Sequence, residues 1–225
     1  MSNVIHLWAI FLGTVVGLLP IINPLASAPT FLAITEGDND QRRKEQARKG
    51  CIYMVIILVS SLIGGTVIMN FFGISIPGLR IAGGIMMTGI GMTMLAPKTD
   101  RREVHEEREA ARRKEDISFS PLAMPMLSGP GSIAVTLGFT SLAKGWIDYA
   151  AIIAGIVFVA LLTYSVLRLS GKIAGLMGPV GVNAMTKIMG FLIMCIGVQF
   201  VVNGVLGIAT DPELLRSIKA TLTGA

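Results

Sequence analysis

Between Val4 and Thr35 the chain carries no Asp, Glu, Lys or Arg, and the run is interrupted by Pro20, Pro24 and Pro29. A straight transmembrane helix needs about 20 apolar residues, so this run is too long for one plain span. Each internal proline also removes a backbone donor and leaves a carbonyl without its helical partner. Lipid cannot satisfy that carbonyl. Such a break survives only where protein or a water-filled cavity surrounds it. The stretch Ile22–Phe31 is therefore read as a helix broken within the membrane.

The pattern returns in a second uncharged run, Ile117–Ala143, where residues 123–132 read Ala-Met-Pro-Met-Leu-Ser-Gly-Pro-Gly-Ser. At an offset of 101, Pro24 falls on Pro125, Ser27 on Ser128 and Pro29 on Pro130. A second match, at an offset of 106, sets Gly84-Ile-Met-Met-Thr-Gly-Ile-Gly91 on Gly190-Phe-Leu-Ile-Met-Cys-Ile-Gly197. Together these imply an internal repeat of three spans plus three. An odd number of spans per repeat inverts one half relative to the other. Inverted repeats whose broken helices meet near the midplane suit alternating-access transport.

The remaining composition agrees with a membrane protein: 52% of the 225 residues are hydrophobic, 15% are charged, and mean hydropathy is +0.70. The expected fold is all-α and integral to the membrane. It has six transmembrane helices as a 3+3 inverted repeat, the first and fourth broken at the proline motifs. Repeat one covers 4–96 and repeat two 119–209. A charged linker, 97–118, joins them, and a short polar tail, 210–225, follows, all within one membrane domain. The spans are placed at Ile5–Ile34, Cys51–Phe72, Leu79–Ala96, Phe119–Ala143, Ala150–Leu169 and Ile188–Ala209. Glu36–Gly50 is read as a charged loop and Gly171–Lys187 as a glycine-rich connection. With the N-terminus outside, fifteen Lys and Arg fall on the inner side and four on the outer. Cytoplasmic loops carry the excess of basic residues, so both termini are expected outside. No basic residue precedes Arg42, so no cleavable leader is expected.

Several stretches carry a family resemblance. They are Asn23-Pro24-Leu25 with Pro29; Phe72-Gly-Ile-Ser-Ile-Pro-Gly-Leu-Arg80-Ile-Ala-Gly-Gly84; Pro121-Leu-Ala-Met-Pro125 with Ser128-Gly-Pro-Gly-Ser132; and Met189-Gly190-Phe191-Leu192. The chain resembles the MarC family of bacterial inner-membrane proteins over nearly its whole length, nearest to the branch that gives the family its name. That family is similar to six-span transporters of the LysE type, and some members are described as moving small neutral amino acids. The resemblance implies a multi-pass protein of the bacterial inner (plasma) membrane.

A zwitterionic solute needs donors for its carboxylate and acceptors for its ammonium, and a broken helix offers free N–H groups and freed carbonyls. The candidate substrate residues are Asn23, Pro24, Ser27, Pro29 and Thr30 in the first motif, with Pro125, Ser128, Gly129, Pro130, Gly131 and Ser132 in the second. The serines and Thr30 supply hydroxyls, Gly129 and Gly131 let a ligand approach the backbone, and Asn23 orients a polar group. The plain alternative is that these residues kink and pack two helices. Arg80, at the start of the third span, is either a gate or a side chain reaching the headgroups.

Other classes find less support. His6 and His105 stand apart from both serine motifs, so a serine nucleophile lacks a base and no enzyme is expected. Cys51 and Cys195 are isolated in apolar surroundings, which gives neither a disulfide framework nor a metal site. No cofactor or nucleic acid is expected; the partners are a small-molecule solute and the bilayer. A homo-oligomer is compatible with the sequence. Efflux of drugs or other metabolites, and a non-transport membrane partner or stress-related protein, remain the alternatives. The interiors of the expected spans hold no Asp, Glu or Lys. Coupling is therefore expected to use a cation held by backbone carbonyls, or to be absent.

Overall fold

The computed structural model describes residues 2–96, 116–140, 143 and 145–211. Every regular element among them is helical: α1 (Ser2–Ile22), α2 (Pro24–Ile34), α3 (Asp40–Phe72), α4 (Ile76–Leu95), α5 (Ser118–Leu127), α6 (Pro130–Phe139), α7 (Trp146–Arg168) and α8 (Ser170–Ala209). Among the described residues, five stretches are long and apolar enough to cross a membrane: Val4–Ile22, Asp40–Gly65, Ile76–Leu95, Trp146–Arg168 and Asn183–Ala209. α2 and α6 are apolar but short. The stretch expected as the fourth span is divided between α5 and α6, neither long enough alone. Most of the expected linker (97–115) and of the tail (212–225) lies outside the described residues.

Two stretches expected as connections are helical. The charged stretch before Gly50 forms the first turns of α3, because Asn39 caps it by accepting from the Arg42 N–H at 2.8 Å. Asp40 sits favourably in the first turn, and the good helix formers that follow meet no breaker until Gly50. Ion pairs Arg42–Asp38 (3.3 Å) and Lys49–Glu45 (2.9 Å) line the exposed side. The glycine-rich stretch after Arg168 belongs to α8, kinked at Gly178 (φ 61°, ψ 176°). A glycine takes that left-handed backbone without a steric penalty, and the following Pro179 is suited to the start of a new helical turn.

Small residues set the tightest packing. α4 and α8 run antiparallel, with Gly84 against the Gly197 carbonyl, Gly91 against the Gly190 carbonyl and Gly204 against Pro77. A Cβ on Gly84 would lie 2.5 Å from the Gly197 oxygen, and one on Gly91 2.6 Å from the Gly190 oxygen. These contacts are reciprocal. Under the 106-residue offset Gly84 matches Gly190 and Gly91 matches Gly197, so each glycine meets the counterpart of the other. Three other pairs of helix contacts exchange in the same way. α1 packs on α7 as α5 packs on α3, α2 on α8 as α6 on α4, and α2 on α7 as α6 on α3.

The core between these helices holds Leu18, Phe31, Met54, Leu58, Met87, Leu122, Leu127, Ile152 and Ile156. Large apolar side chains such as Val16, Ile63, Phe71, Phe158 and Leu161 cover the outside. Apolar residues both inside and out are the pattern of helices packed in lipid, where close contact rather than water exclusion drives association.

Gly84→Ala and Gly91→Ala should each lower stability by about 1–3 kcal/mol, because the added methyl meets facing backbone. Gly89→Ala should not, since nothing stands within 4 Å of a Cβ there. Thermal melting of the detergent-solubilised variants checks both.

Candidate functional site

α1 ends at Ile22, and Asn23 turns into the left-handed region (φ 44°, ψ 63°) before α2 begins at Pro24. Asparagine tolerates this conformation better than most residues. Its Oδ1 accepts the Ala26 N–H at 3.3 Å, capping α2, and proline at the first helical position sacrifices no useful donor. The Ser27 hydroxyl donates back across the break to the Ile22 carbonyl at 3.4 Å.

The second break reaches the same arrangement by a different route. Ser120 (φ −133°, ψ 120°) and Met124 (φ −132°, ψ 122°) are extended inside α5. Each precedes a proline, which excludes helical backbone from its predecessor. The turns around them are wide, with the Leu122 N–H donating to the Ile117 carbonyl at 3.1 Å and Ser128 N–H to the Ala123 carbonyl at 2.8 Å. The chain then opens at Ser128 and Gly129, and α6 starts at Pro130. The Ser132 hydroxyl donates across this break to the Leu127 carbonyl at 3.3 Å.

The prolines that open the two short helices are thus Pro24 and Pro130, separated by the 106 residues that also separate Gly84 from Gly190. The offset of 101 matches prolines with different tasks. Pro29 lies within α2 and Pro125 within α5, while Ser27 answers to Ser132 as the hydroxyl that bridges a break.

The breaks come together. A Cβ on Gly131 would lie 3.4 Å from both Ile21 Cγ2 and Met87 Cγ, so the start of α6 rests against the end of α1 and the middle of α4. Asn23 (5% exposed), Ser27, Ser128 (0%), Gly131 and Ser132 are all buried here. Asn23 Nδ2 and Ser128 Oγ have no hydrogen-bond partner. Thr30 and Pro130 are exposed, and Gly129 and Pro29 are part-buried. Arg80 is not among the group. It stands two turns, about 10 Å along the axis, from Met87.

Other groups here carried no signal in the sequence. Asp148, expected in a loop, is buried in the first turn of α7, and its Oδ1 lies 3.3 Å from His6 Nε2 on α1. A carboxylate therefore does enter an apolar helix bundle, at its edge. Thr14 lies against Gly155 further along the same pair, so α1 and α7 run parallel. Continuing that register sets Thr163, whose hydroxyl is also buried and unpartnered, level with Ile22. A lone threonine in an apolar span reads as ordinary packing, which is why it passes unnoticed.

A separate polar cavity of about 360 Å³ is lined by Asn39, Gln41, Arg42, Glu45, Gln46, Lys49 and Asp116. Here Gln46 Oε1 accepts the Ile117 N–H at 3.2 Å, and Lys49 Nζ stands 3.7 Å from Asp116. The Ser118 hydroxyl and N–H donate to Asp116 and hold its carboxyl below the usual value, with Lys49 adding to the effect. These contacts tie the start of α5 to the base of α3.

Among the described residues every regular element is helical and five stretches are long and apolar enough to cross a membrane, which is the composition of an integral membrane protein. The MarC family model, described as "MarC family integral membrane protein", matches residues 8–209. The chain is 40% identical over 211 residues to the inner membrane protein MarC of Citrobacter koseri, covering 89% of this chain and 95% of that one. It is 40% identical over 214 residues to the protein of that name from Salmonella typhimurium and 39% identical over 211 residues to that of Escherichia coli, with the same coverage. The chain belongs to the MarC family. No solved structure matches it.

The Asp116 tie sets a pH dependence. A carboxyl held lower in the folded state stabilises fully above its unfolded value, and that contribution fades as pH falls through the folded one. The melting difference between wild type and Asp116→Asn should be flat near neutrality and vanish in acid. Its size should stay under about 1 kcal/mol, because the group is half exposed.

Proposed function

We propose that the chain is a secondary transporter of small metabolites, small neutral amino acids foremost, working by alternating access in the bacterial inner membrane. The observation that carries this reading is the meeting of two helix breaks whose buried Asn23 Nδ2 and Ser128 Oγ lack partners. Burying a polar group unpaired costs about 1–3 kcal/mol. A pair of them where two interrupted helices meet is the arrangement of a solute site.

On this reading the fold has six spans. α1 with α2 and α5 with α6 are the broken first and fourth, and α3, α4, α7 and α8 are the others. The exchanged packing of α1, α2, α5 and α6 and the reciprocal glycines of α4 and α8 support an inverted 3+3 relation. The parallel course of α1 and α7 supports it too, since spans one and five start on the same face. Both termini then lie outside, with Asn39–Lys49 and Asp116 at the cytoplasmic face. The names of the relatives from Citrobacter, Salmonella and Escherichia support the inner membrane. Residues 4–96 and 119–209 form the two repeats, and no catalytic chemistry is assigned. Arg80, near the outer end of α4 and apart from the breaks, is placed to reach the headgroups or to act as a gate, and is not assigned as a solute ligand. Efflux of bulky aromatic drugs gains nothing from the hollow beside Trp8 and Phe11, which lies on the outer side of α1, away from the breaks.

Purified protein in liposomes should take up labelled alanine, glycine, serine or threonine saturably. Asn23→Ala with Ser128→Ala should cut uptake by roughly tenfold or more, as expected for lost bonds to a charged group. Thr30→Ala, on the exposed side, should leave it within about twofold. Folded, inserted protein that moves none of these solutes would end the amino acid reading.

A further inference from the structure

Resting on that site assignment, the geometry also has a sign. α2 and α6, of eleven and ten residues, both begin at the breaks, and Gly131 in the first turn of α6 lies against Ile21, two residues before Asn23. Each of these two N-termini carries the positive end of its helix dipole beside the negative end of the helix before it, and neither has an acidic residue in its first turn. The carbonyls ending the preceding helices, Ile22 and Leu127, already accept from Ser27 and Ser132. The side chains left unpartnered at this level are a donor, Asn23 Nδ2, and two hydroxyls able to donate, Ser128 Oγ and Thr163 Oγ1. The asparagine is held with its nitrogen free because Oδ1 is engaged by the Ala26 N–H. Gly129, which precedes α6, brings no side chain to compete.

We infer that the site recognises the carboxylate of its substrate, seated between Asn23 and Ser128, and that compact monocarboxylates are its substrate class whether or not they carry an ammonium group. A cation placed between these side chains would face the amide hydrogens of Asn23. α1, α2, α5 and α6 contain no Lys or Arg. The negative charge is therefore met by hydrogen bonds and dipoles alone, which suits one delocalised charge rather than a multiply charged phosphate.

Taking alanine apart tests this. The purified full-length protein is melted against rising sodium propionate (the carboxylate without the ammonium), ethylammonium chloride (the reverse), alanine and alanine methyl ester. Propionate and alanine should raise the melting temperature saturably; ethylammonium and the ester should not. Asn23→Asp keeps the cap on Ala26 and the left-handed backbone but turns the free donor into an acceptor. It should weaken propionate binding about ten- to a hundredfold. Ser128→Ala, which only deletes a hydroxyl, should weaken it less and serves if Asn23→Asp does not fold. Equal stabilisation by ethylammonium or the ester, or undiminished propionate binding in both variants, overturns the inference. Liposome uptake of labelled alanine separates this from the transporter reading. Uptake untouched by propionate sinks the carboxylate inference alone, propionate binding without any uptake sinks transport alone, and neither binding nor uptake sinks both.

Discussion

Everything in this structure depends on how a chain interrupts a helix where no water is at hand. A break inside an apolar bundle strands backbone groups at two ends, and each left unpaired costs free energy comparable to a lost hydrogen bond. The chain answers twice with the same device. A serine hydroxyl reaches back across the gap to the last carbonyl, from Ser27 to Ile22 and from Ser132 to Leu127. Proline opens the new helix where a missing N–H is harmless. The device leaves the chain free to bend at Asn23 and at Ser128–Gly129 without a run of orphaned carbonyls.

The breaks can meet only because of what happens beside them. α2 rests on α8 and α6 on α4, so the separation of α4 from α8 sets how near the two short helices come. Glycines on both helices let carbonyls of one lie over the Cα atoms of the other, with Thr88, Met94, Met194 and Val201 packed around them. A seam of larger residues would spread α4 and α8 and draw the site apart with them. The glycine motif and the proline motif are thus two parts of one construction, though they lie some sixty residues apart in each half.

Much of this was legible in the sequence. Charge-free runs mark helices in lipid, and prolines inside them mark the breaks. The glycine match at Gly84 and Gly190 shares its offset of 106 with Pro24 and Pro130, the prolines that open α2 and α6. The proline match at 101 does not pair those two, because spacing cannot tell a proline that opens a helix from one inside it. Pro125 reads like Pro24 but lies within α5, where it forces Met124 to be extended. Thr30 and Ser27 differ by less than one turn, and composition cannot say which faces inward. The start of α3 was hidden because its residues are charged, and charge signals exposure rather than the absence of helix. Asp148 was hidden for a related reason: one acid beside an interfacial Trp146 and Tyr149 reads as a loop residue, and only the fold brings His6 to it.

The division of labour among the polar residues also bears on mechanism. Had Ser27 and Ser132 been the only polar side chains at the breaks, kinking and packing would account for them fully, since their hydroxyls are spent on backbone carbonyls. Asn23 and Ser128 are different, because their remaining atoms close no gap and cap no helix. Each carries a desolvation cost of about 1–3 kcal/mol that the fold alone does not recover. A solute bonding to both recovers it, and only while the breaks are together. On the transporter reading, binding thus favours the closed arrangement over one in which either half has swung away and its donor is wetted. The same two atoms that recognise the solute then bias the equilibrium between the halves, since a ligand shifts a two-state equilibrium only by its difference in affinity for the two states.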